Sequence, residues 1–133
     1  MTRDIDLLNE LAKHEAVVVA LSVTTLRNDL QRSMEPRAAS PARRLGAIRV
    51  LADAGIPVGV NVAPIVPGLT DHELPSILEA AANAGASFAG RITLRLPWGV
   101  KDIFQDWLER HAPDRKDKVL NRLREMHGGS LYD

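Results

Sequence analysis

The sequence contains no cysteine among its 133 residues. This absence excludes disulfide bonds, thiolate zinc sites, cysteine nucleophiles and any cysteine-ligated iron–sulfur cluster held by the chain itself. Aromatic residues make up only 4% of the chain, so platforms that stack nucleic-acid bases are not expected. The hydrophobic content of 45% and the charged content of 26% are those of a globular protein and exclude a disordered or collagen-like chain.

The chain also lacks an excess of either charge and any long apolar run. Its 17 Lys and Arg residues balance 17 Asp and Glu residues, so the net charge gives no general attraction to nucleic acid or to an anionic membrane. No apolar run reaches the ~18 residues of a membrane helix, and residues 1–4 do not begin a signal peptide. We expect a cytoplasmic protein without membrane contact, and a nucleic-acid partner has no support from charge.

The histidines show no spacing that is typical of metal ligands. They are scattered along the chain, at His14, His72, His111 and His127. We therefore expect no metal site and no catalytic histidine.

Hydrophobic periodicity predicts a helix, then three strand–helix units, then a final helix. The first helix covers residues 4–14, and Leu26–Met34 is ambiguous. The predicted strands are residues 16–23, 56–63 and 91–96. Residues 100–111 carry the best amphipathic pattern, which predicts that Phe104 and Trp107 lie in the core. Such alternation favours an α/β protein with a parallel sheet and right-handed crossovers.

Short motifs mark the ends of the predicted helices. Ser40-Pro41 predicts an N-cap and a first helical residue, and Gly55 and Gly85 predict C-terminal ends. The run Thr70-Asp71-His72-Glu73 has the capping-box pattern. We therefore interpret Asp71 and Glu73 as helix-capping carboxylates and not as catalytic acids.

Each predicted strand has one large apolar face and one small or polar face. In the second strand, for example, Val58, Val60 and Val62 alternate with Gly59, Asn61 and Ala63. Helices must cover the apolar face, so the polar face is expected to line the inside of a wide, partly open barrel that holds a polar ligand. The alternative is an edge sheet whose polar face is solvated.

Three β-α units cannot close an eight-stranded barrel and leave open strand edges. The predicted fold is therefore a parallel β/α partial barrel, a half barrel with flanking helices. Residues 1–133 are expected to form a single fragment of something larger.

Several segments resemble a bacterial branch of the radical SAM superfamily whose members are described as spore photoproduct lyase-like or DNA repair photolyase-like. The resemblance covers nearly the whole chain, and the order and spacing of the segments carry it. The segments are SVTTL (22–26), MEPRA (34–38), SPARRL (40–45), AGIPVGV (54–60), APIVPGLTD (63–71), LRLP (94–97), LNR (120–122) and GGSLYD (128–133).

The resemblance implies a partial (β/α)6 barrel, a TIM-barrel relative. Such enzymes hold a [4Fe-4S] cluster in a CxxxCxxC loop and cleave S-adenosylmethionine reductively to a radical. This chain departs from that pattern because it has no cysteine and nothing that corresponds to the first three strands. It resembles the C-terminal half of the barrel, a fragment that arises as a truncated product, a proteolytic product or one part of a split gene.

The resemblance also suggests cofactor-binding residues, each with a structural alternative. Ser22 and Thr24 would hold the ribose and amino acid end of the cofactor, or are solvated polar residues. Asn61 would contact the adenine or ribose, or is a structural amide. Glu35 and Arg37 would form an ion pair or reach the cofactor's carboxylate, or are a surface pair.

The third strand and the loop after the second strand supply the remaining candidates. Arg95 would take a carboxylate in bidentate fashion from the end of the third strand. Pro64 and Gly68 belong to a segment that would shape the adenine pocket through its backbone, and Gly68 permits a positive φ. The catalytic residues are unknown, and no metal ligand is expected in this chain.

The sequence thus leaves two functions open. In the first, the chain supplies part of the S-adenosylmethionine and substrate pocket of a radical SAM enzyme, with nucleic acid as one candidate substrate, and is inactive alone. In the second, it is a non-radical α/β ligand-binding module that uses the same polar face. The expected partners are the missing N-terminal half of the barrel and a second copy, joined through open sheet edges.

Overall fold

The computed structural model describes residues 2–96 and 99–126. Pro97, His127 and the GGSLYD segment, all used above, lie outside the described residues. The elements follow in chain order, with short 3₁₀ turns at Thr2–Asp4 and Asp71–Glu73. They are α1 (Ile5–Lys13), β1 (Val19–Ser22), α2 (Asn28–Met34), α3 (Pro41–Asp53), β2 (Val58–Ile65), α4 (Leu74–Ala84), β3 (Ala89–Thr93), α5 (Val100–His111) and α6 (Lys116–Met126).

The three strands form one open sheet in the order β1-β2-β3. β1 and β2 are parallel, with Val19 opposite Val58 and Ser22 opposite Asn61. The segment that contains β3 is parallel to β2. Ser87 N donates to Val58 O and Leu94 N donates to Ile65 O, so residue numbers rise in the same direction in both segments. The predicted α/β class is confirmed, and the open parallel sheet is consistent with a partial β/α barrel.

The helix ends follow the predicted motifs in three places. The Ser40 hydroxyl accepts a hydrogen bond from Arg43 N at 3.2 Å, and Pro41 is the first residue of α3. Gly55 and Gly85 have φ values of 80° and 112°, a left-handed conformation that costs other residues steric strain. The predicted N-cap and both glycine ends are confirmed.

Three local predictions were wrong or incomplete. The ambiguous stretch before residue 35 forms α2. β2 starts and ends two residues later than predicted, and β3 covers Ala89–Thr93. The capping box does not form, because the Thr70 hydroxyl accepts from Val66 N at 2.9 Å and Glu73 makes no cap bond. Polar side chains here satisfy loop amides, which compete with the helix end for the same acceptors.

The described residues divide into two compact units. The first comprises the residues up to Ala63 together with Glu73–Ile92, and the second comprises Pro64–His72 and the residues from Thr93 onward. The expectation of a single fragment over residues 1–133 stays a prediction. In the first unit the core is formed by α3, β2 and α4, through Ile48, Leu51, Val58, Val60 and Ile77. In the second unit it is formed by Val66, Leu96, Leu108, Val119 and Leu123.

The predicted apolar faces are covered on β2 but not on β3. Val58, Val60 and Val62 are all buried, whereas Ile92 is 56% exposed. On α5 only Leu108 is buried, while Phe104 and Trp107 are half-buried and stack with ring centroids 6.0 Å apart. The prediction that both aromatic residues lie in the core was therefore only partly right.

In the described part of the chain, no helix is long and apolar enough to cross a membrane.

Candidate functional site

The polar face of the sheet is centred on the pair Ser22 and Asn61. These residues lie opposite each other in the parallel register, so their side chains share one face. Ser22 is exposed and Asn61 is half-buried. A Cβ atom added to Gly90 would lie 3.3 Å from Asn61 Oδ1, so the glycine keeps the neighbouring strand close to this amide. The arrangement presents a hydroxyl at the last residue of β1 beside an amide in the middle of β2.

An aromatic ring lies toward the other end of the same face. A Cβ atom on Gly59, two residues before Asn61, would lie 2.3 Å from two ring atoms of Phe88. Phe88 is 42% exposed, so one side of its ring covers the Gly59 backbone and the rest is free. The polar face therefore has a hydrogen-bonding end and an apolar end.

A network of Thr24, Glu35 and Arg44, here called the rim network, follows the end of β1. Thr24 Oγ1 lies 3.1 Å from Glu35 Oε1 and 3.3 Å from Ala63 O, and its single proton serves one acceptor at a time. Arg44 donates from Nη2 to Glu35 Oε2 and from Nη1 to Ser22 O, the latter at 2.9 Å. The fork of the guanidinium thus joins β1 to the loop that carries Glu35.

The local sequence explains how Glu35 reaches this position. α2 ends one residue before it, and Pro36 prevents a further helical turn. Gln31, only 3% exposed, donates from Nε2 to Glu35 O at 3.0 Å and to Ala38 O at 3.2 Å. Its amide therefore holds the turn that aims the Glu35 carboxylate at Thr24 and Arg44.

Partial burial strengthens the ion pair of the rim network. The side chain of Arg44 is 11% exposed and that of Glu35 is 29% exposed, so water screens this ion pair only in part. The ion pair between Glu35 and Arg37 that the sequence suggested does not form. Glu35 pairs with Arg44, and Arg37 is exposed. Thr24 is 2% exposed, and its hydroxyl supports Glu35 instead of facing open space.

A second polar contact holds the turn after Thr24. Glu73, 8% exposed at the start of α4, accepts from Thr25 Oγ1 at 2.5 Å and from Leu26 N at 3.0 Å. Thr25 Oγ1 also accepts from Arg27 N at 3.1 Å. We call this arrangement the Glu73 clamp.

Two exposed charges lie beyond the Glu73 clamp. Arg27 donates from Nη2 to Asp29 Oδ2 at 2.9 Å. This bond is the main reason that the pKa of Asp29 lies below its usual 3.8, and the hydrogen bond from the Leu30 backbone amide is the second reason. The same bond to Asp29 raises the pKa of Arg27, which Glu73 raises further by its charge.

The second unit contains the other sequence-predicted residues. Gly68 has a φ of 85°, as predicted, and its amide donates to Asp71 Oδ1 at 3.0 Å. Arg115 donates from Nη1 to Gly68 O at 3.1 Å, so the loop after β2 is tied to the start of α6. Pro64 is half-buried and Arg95 is exposed. Asp71 caps this loop and not the helix.

Sequence reasoning missed Arg44, Gln31, Phe88 and the role of Glu73. Arg44 stands in the SPARRL segment, but nothing in its spacing distinguishes it from Arg43. Gly59 in a valine-rich strand was the available signal for Phe88, since a glycine there often marks the close approach of another group.

The residues present do not fit an iron–sulfur cluster, because such a cluster needs thiolates and this chain has no cysteine. Within residues 2–96 and 99–126, no three His, Asp or Glu side chains gather as a metal site would require. The polar face does fit a polar organic ligand, since a free hydroxyl and a half-exposed amide share it.

Comparison with known proteins identifies related sequences. Residues 1–81 match the family described as the radical SAM superfamily. The uncharacterized protein Rv2578c of Mycobacterium tuberculosis is 33% identical over 134 residues, which cover 99% of this chain and 38% of the relative. The uncharacterized protein MJ0683 of Methanocaldococcus jannaschii is 31% identical over 120 residues, which cover 90% of this chain and 43% of the relative.

A viral protein is similar over a shorter stretch. The uncharacterized protein ORF301 of Acidianus two-tailed virus is 40% identical over 67 residues, half of this chain. No solved structure matches. The chain spans 38% of the length of the mycobacterial relatives that it matches.

Proposed function

This chain belongs to the radical SAM superfamily, and we propose that it forms the C-terminal half of a partial (β/α)6 barrel. In this proposal β1, β2 and β3 are the fourth, fifth and sixth strands, and the chain belongs to the spore photoproduct lyase-like branch. It supplies part of the pocket for S-adenosylmethionine and substrate. The cysteine ligands of the cluster lie outside this sequence.

The polar face is the observation that carries the proposal. S-adenosylmethionine has a ribose, an amino group and a carboxylate, all of which need hydrogen-bonding partners when they leave water. Ser22 and Asn61 offer a hydroxyl and an amide on adjoining strands. Ser22 is the last residue of β1, and β/α barrels bind their ligands at the carboxyl ends of their strands. Their exposure leaves both side chains accessible to a ligand.

Glu35, Arg37 and Thr24 have different roles in this proposal. Glu35 and Arg37 lie on the loop after β1, where Glu35 would bind a ribose hydroxyl or amino group and the exposed Arg37 a carboxylate. Thr24 acts by orienting Glu35, since its hydroxyl contacts that carboxylate.

For Pro64, Gly68 and Arg95 the proposal rests on the sequence resemblance. By that resemblance Pro64 and Gly68 would shape an adenine pocket through their backbone, and Arg95 would bind a carboxylate. When bound, S-adenosylmethionine supplies the 5′-deoxyadenosyl group that the superfamily uses for radical chemistry. We assign the chain no catalytic step of its own.

The proposed partner is the half barrel that carries the cluster loop. β1 is a terminal strand of the sheet, and its free edge is the place where another parallel strand would add. Val18, just before β1, is 69% exposed, so an apolar side chain lies beside this edge. The same edge would serve self-association when the complementary half is absent.

A non-radical ligand-binding module is the second candidate. The absence of cysteine favours it, because the chain can present the polar face without any cluster. The reading frame upstream of Met1 and its neighbouring genes separate the two candidates. A CxxxCxxC loop there supports the radical SAM enzyme, and its absence from both supports the module.

Binding itself is tested by titrating the isotope-labelled chain with S-adenosylmethionine and following its amide resonances. The expected result is a saturable shift of the amides around Ser22 and Asn61. Shifts confined to α5 and α6, or no saturable shift, would contradict the proposal.

A further inference from the structure

Glu73 is a buried carboxylate for which the proposed pocket has no use. It is 8% exposed, and in the described residues no Lys, Arg or His side chain lies within ion-pair distance of it. Its carboxylate accepts hydrogen bonds from Thr25 Oγ1 at 2.5 Å and from Leu26 N at 3.0 Å, and the charge of Arg27 acts on it from beyond ion-pair distance. A buried carboxylate without a directly bonded cation needs fixed donors of this kind, which indicates a definite structural task.

The donors of the Glu73 clamp belong to the turn that follows β1. Thr25 is 1% exposed, and its hydroxyl donates to Glu73 and accepts from Arg27 N at 3.1 Å. The two bonds use the hydroxyl proton and one lone pair, so the turn is held from both sides. α2 starts at the next residue, Asn28.

The turn begins with Thr24, which belongs to the rim network. Thr24 Oγ1 lies 3.1 Å from Glu35 Oε1, and Glu35 in turn binds Arg44. The Thr24 backbone is joined directly to Thr25, so any tilt of Thr25 moves the Thr24 hydroxyl relative to Glu35. The Glu73 clamp and the rim network are therefore mechanically adjacent within the first unit.

We propose that Glu73 is a positioning residue, which fixes the Thr24 side chain against Glu35 by holding Thr25 and the Leu26 amide. Its importance for ligand binding rests on the proposed function, because Glu35 is there a ligand contact. Methionine cannot replace it, since its thioether has a similar length but offers the two donors no carboxylate oxygen. Loss of the Glu73 clamp would let Thr24 populate other staggered rotamers.

The rotamer of Thr24 is measured by three-bond NMR couplings to its Cγ2 atom in the full 133-residue chain. Wild type and the control Glu79→Met, which replaces an exposed carboxylate on the same helix, should show a single rotamer. Glu73→Met should show averaging over two or three rotamers with the backbone amide spectrum otherwise retained. If the competent rotamer falls to about one third, the Kd for S-adenosylmethionine should rise about threefold.

A single unchanged Thr24 rotamer in folded Glu73→Met would overturn the proposal, whatever happens to ligand affinity. If wild type binds no S-adenosylmethionine, the proposed function fails while the couplings still decide the role of Glu73. Should Glu73→Met not fold, Thr25→Val and Thr25→Ser replace it. Rotamer averaging in Thr25→Val and a single rotamer in Thr25→Ser support the proposal, and any other combination contradicts it.

Discussion

Arg44 binds Glu35 with one nitrogen of its guanidinium and the Ser22 carbonyl oxygen with another, at 2.9 Å. One side chain on α3 thus fixes both the loop carboxylate and the last residue of β1. Since the Arg44 side chain is 11% exposed, the pair lies largely out of water, and its loss leaves a carboxylate without its cation.

Replacing this arginine should therefore destabilise the chain. Arg44→Met leaves Glu35 and the Ser22 carbonyl without their donors, and we expect a loss of about 1–3 kcal/mol in the free energy of unfolding. Urea unfolding followed by circular dichroism measures it. Arg43→Met is the matched control, because Arg43 is the exposed neighbour. Equal stability of the two variants would show that the rim network contributes nothing to folding.

Changes on the polar face should weaken ligand binding and spare the fold. Ser22→Val and Asn61→Leu each remove a hydrogen-bonding group from this face, which is worth ~1.5–3 kcal/mol when the ligand is charged. Calorimetric titration with S-adenosylmethionine, of the chain assembled with the proposed cluster-bearing half, should show that loss. Arg95→Met should weaken binding more, if Arg95 makes the proposed charge-assisted contact. Unchanged affinity in both Ser22→Val and Asn61→Leu would leave this face without a function.

The chain should bind no iron, because its 133 residues include no thiolate ligand. Anaerobic reconstitution with iron and sulfide, followed by desalting, an iron assay and a visible spectrum, checks this. We expect no stoichiometric iron and no charge-transfer band. A stable stoichiometric cluster would require ligands that the sequence does not offer.

The Arg27–Asp29 pair should give a pH-dependent contribution to stability. The pKa of Asp29 lies below its usual 3.8, so its contribution is present above that pH and is lost as the pH falls through the lower folded value. The effect on stability is small because both side chains are largely exposed. NMR titration of the carboxyl carbon should give a midpoint below 3.8. Arg27→Met should raise that midpoint, and an unchanged midpoint would assign the shift to the Leu30 amide alone.

The free edge of β1 should make the isolated chain self-associate. Natural sheets protect such edges with charge, and Val18 and Ala20 beside this edge are uncharged and exposed. Light scattering at micromolar concentration should give a mass that rises with concentration toward a dimer. Val18→Lys places a charge beside the edge and should shift the chain toward the monomer. A constant monomer mass in wild type would contradict this expectation.

The parts of the fold that depend on local chemistry could be predicted from the sequence. Ser40-Pro41, Gly55 and Gly85 act on neighbouring residues only, so their roles follow from their identity. Strand alternation likewise predicted the buried valines of β2. The capping box predicted at residues 70–73 failed because Glu73 makes long-range hydrogen bonds instead. Its partners lie 47 and 48 positions away, and local sequence spacing cannot predict such contacts.

In the candidate site, too, local patterns were predictable and tertiary contacts were not. Ser22 and Asn61 were found because side-chain alternation and parallel register act along the strands. The ion pair of Glu35 with Arg37, one of the possibilities left open by the sequence, does not form, and Arg43 and Arg44 are also near Glu35 in the sequence. Only the packing of α3 against β1 selects Arg44.

The polypeptide passes between its two compact units three times, after Ala63, after His72 and after Ile92. No single cut can therefore release either unit as a continuous peptide. A shortened chain ending at Ile92 would keep the loop with Gly68 but lose Arg115, which binds the Gly68 carbonyl, and Leu94, which binds the Ile65 carbonyl. Ending the chain at Ile92 would therefore leave both carbonyl oxygens without these donors.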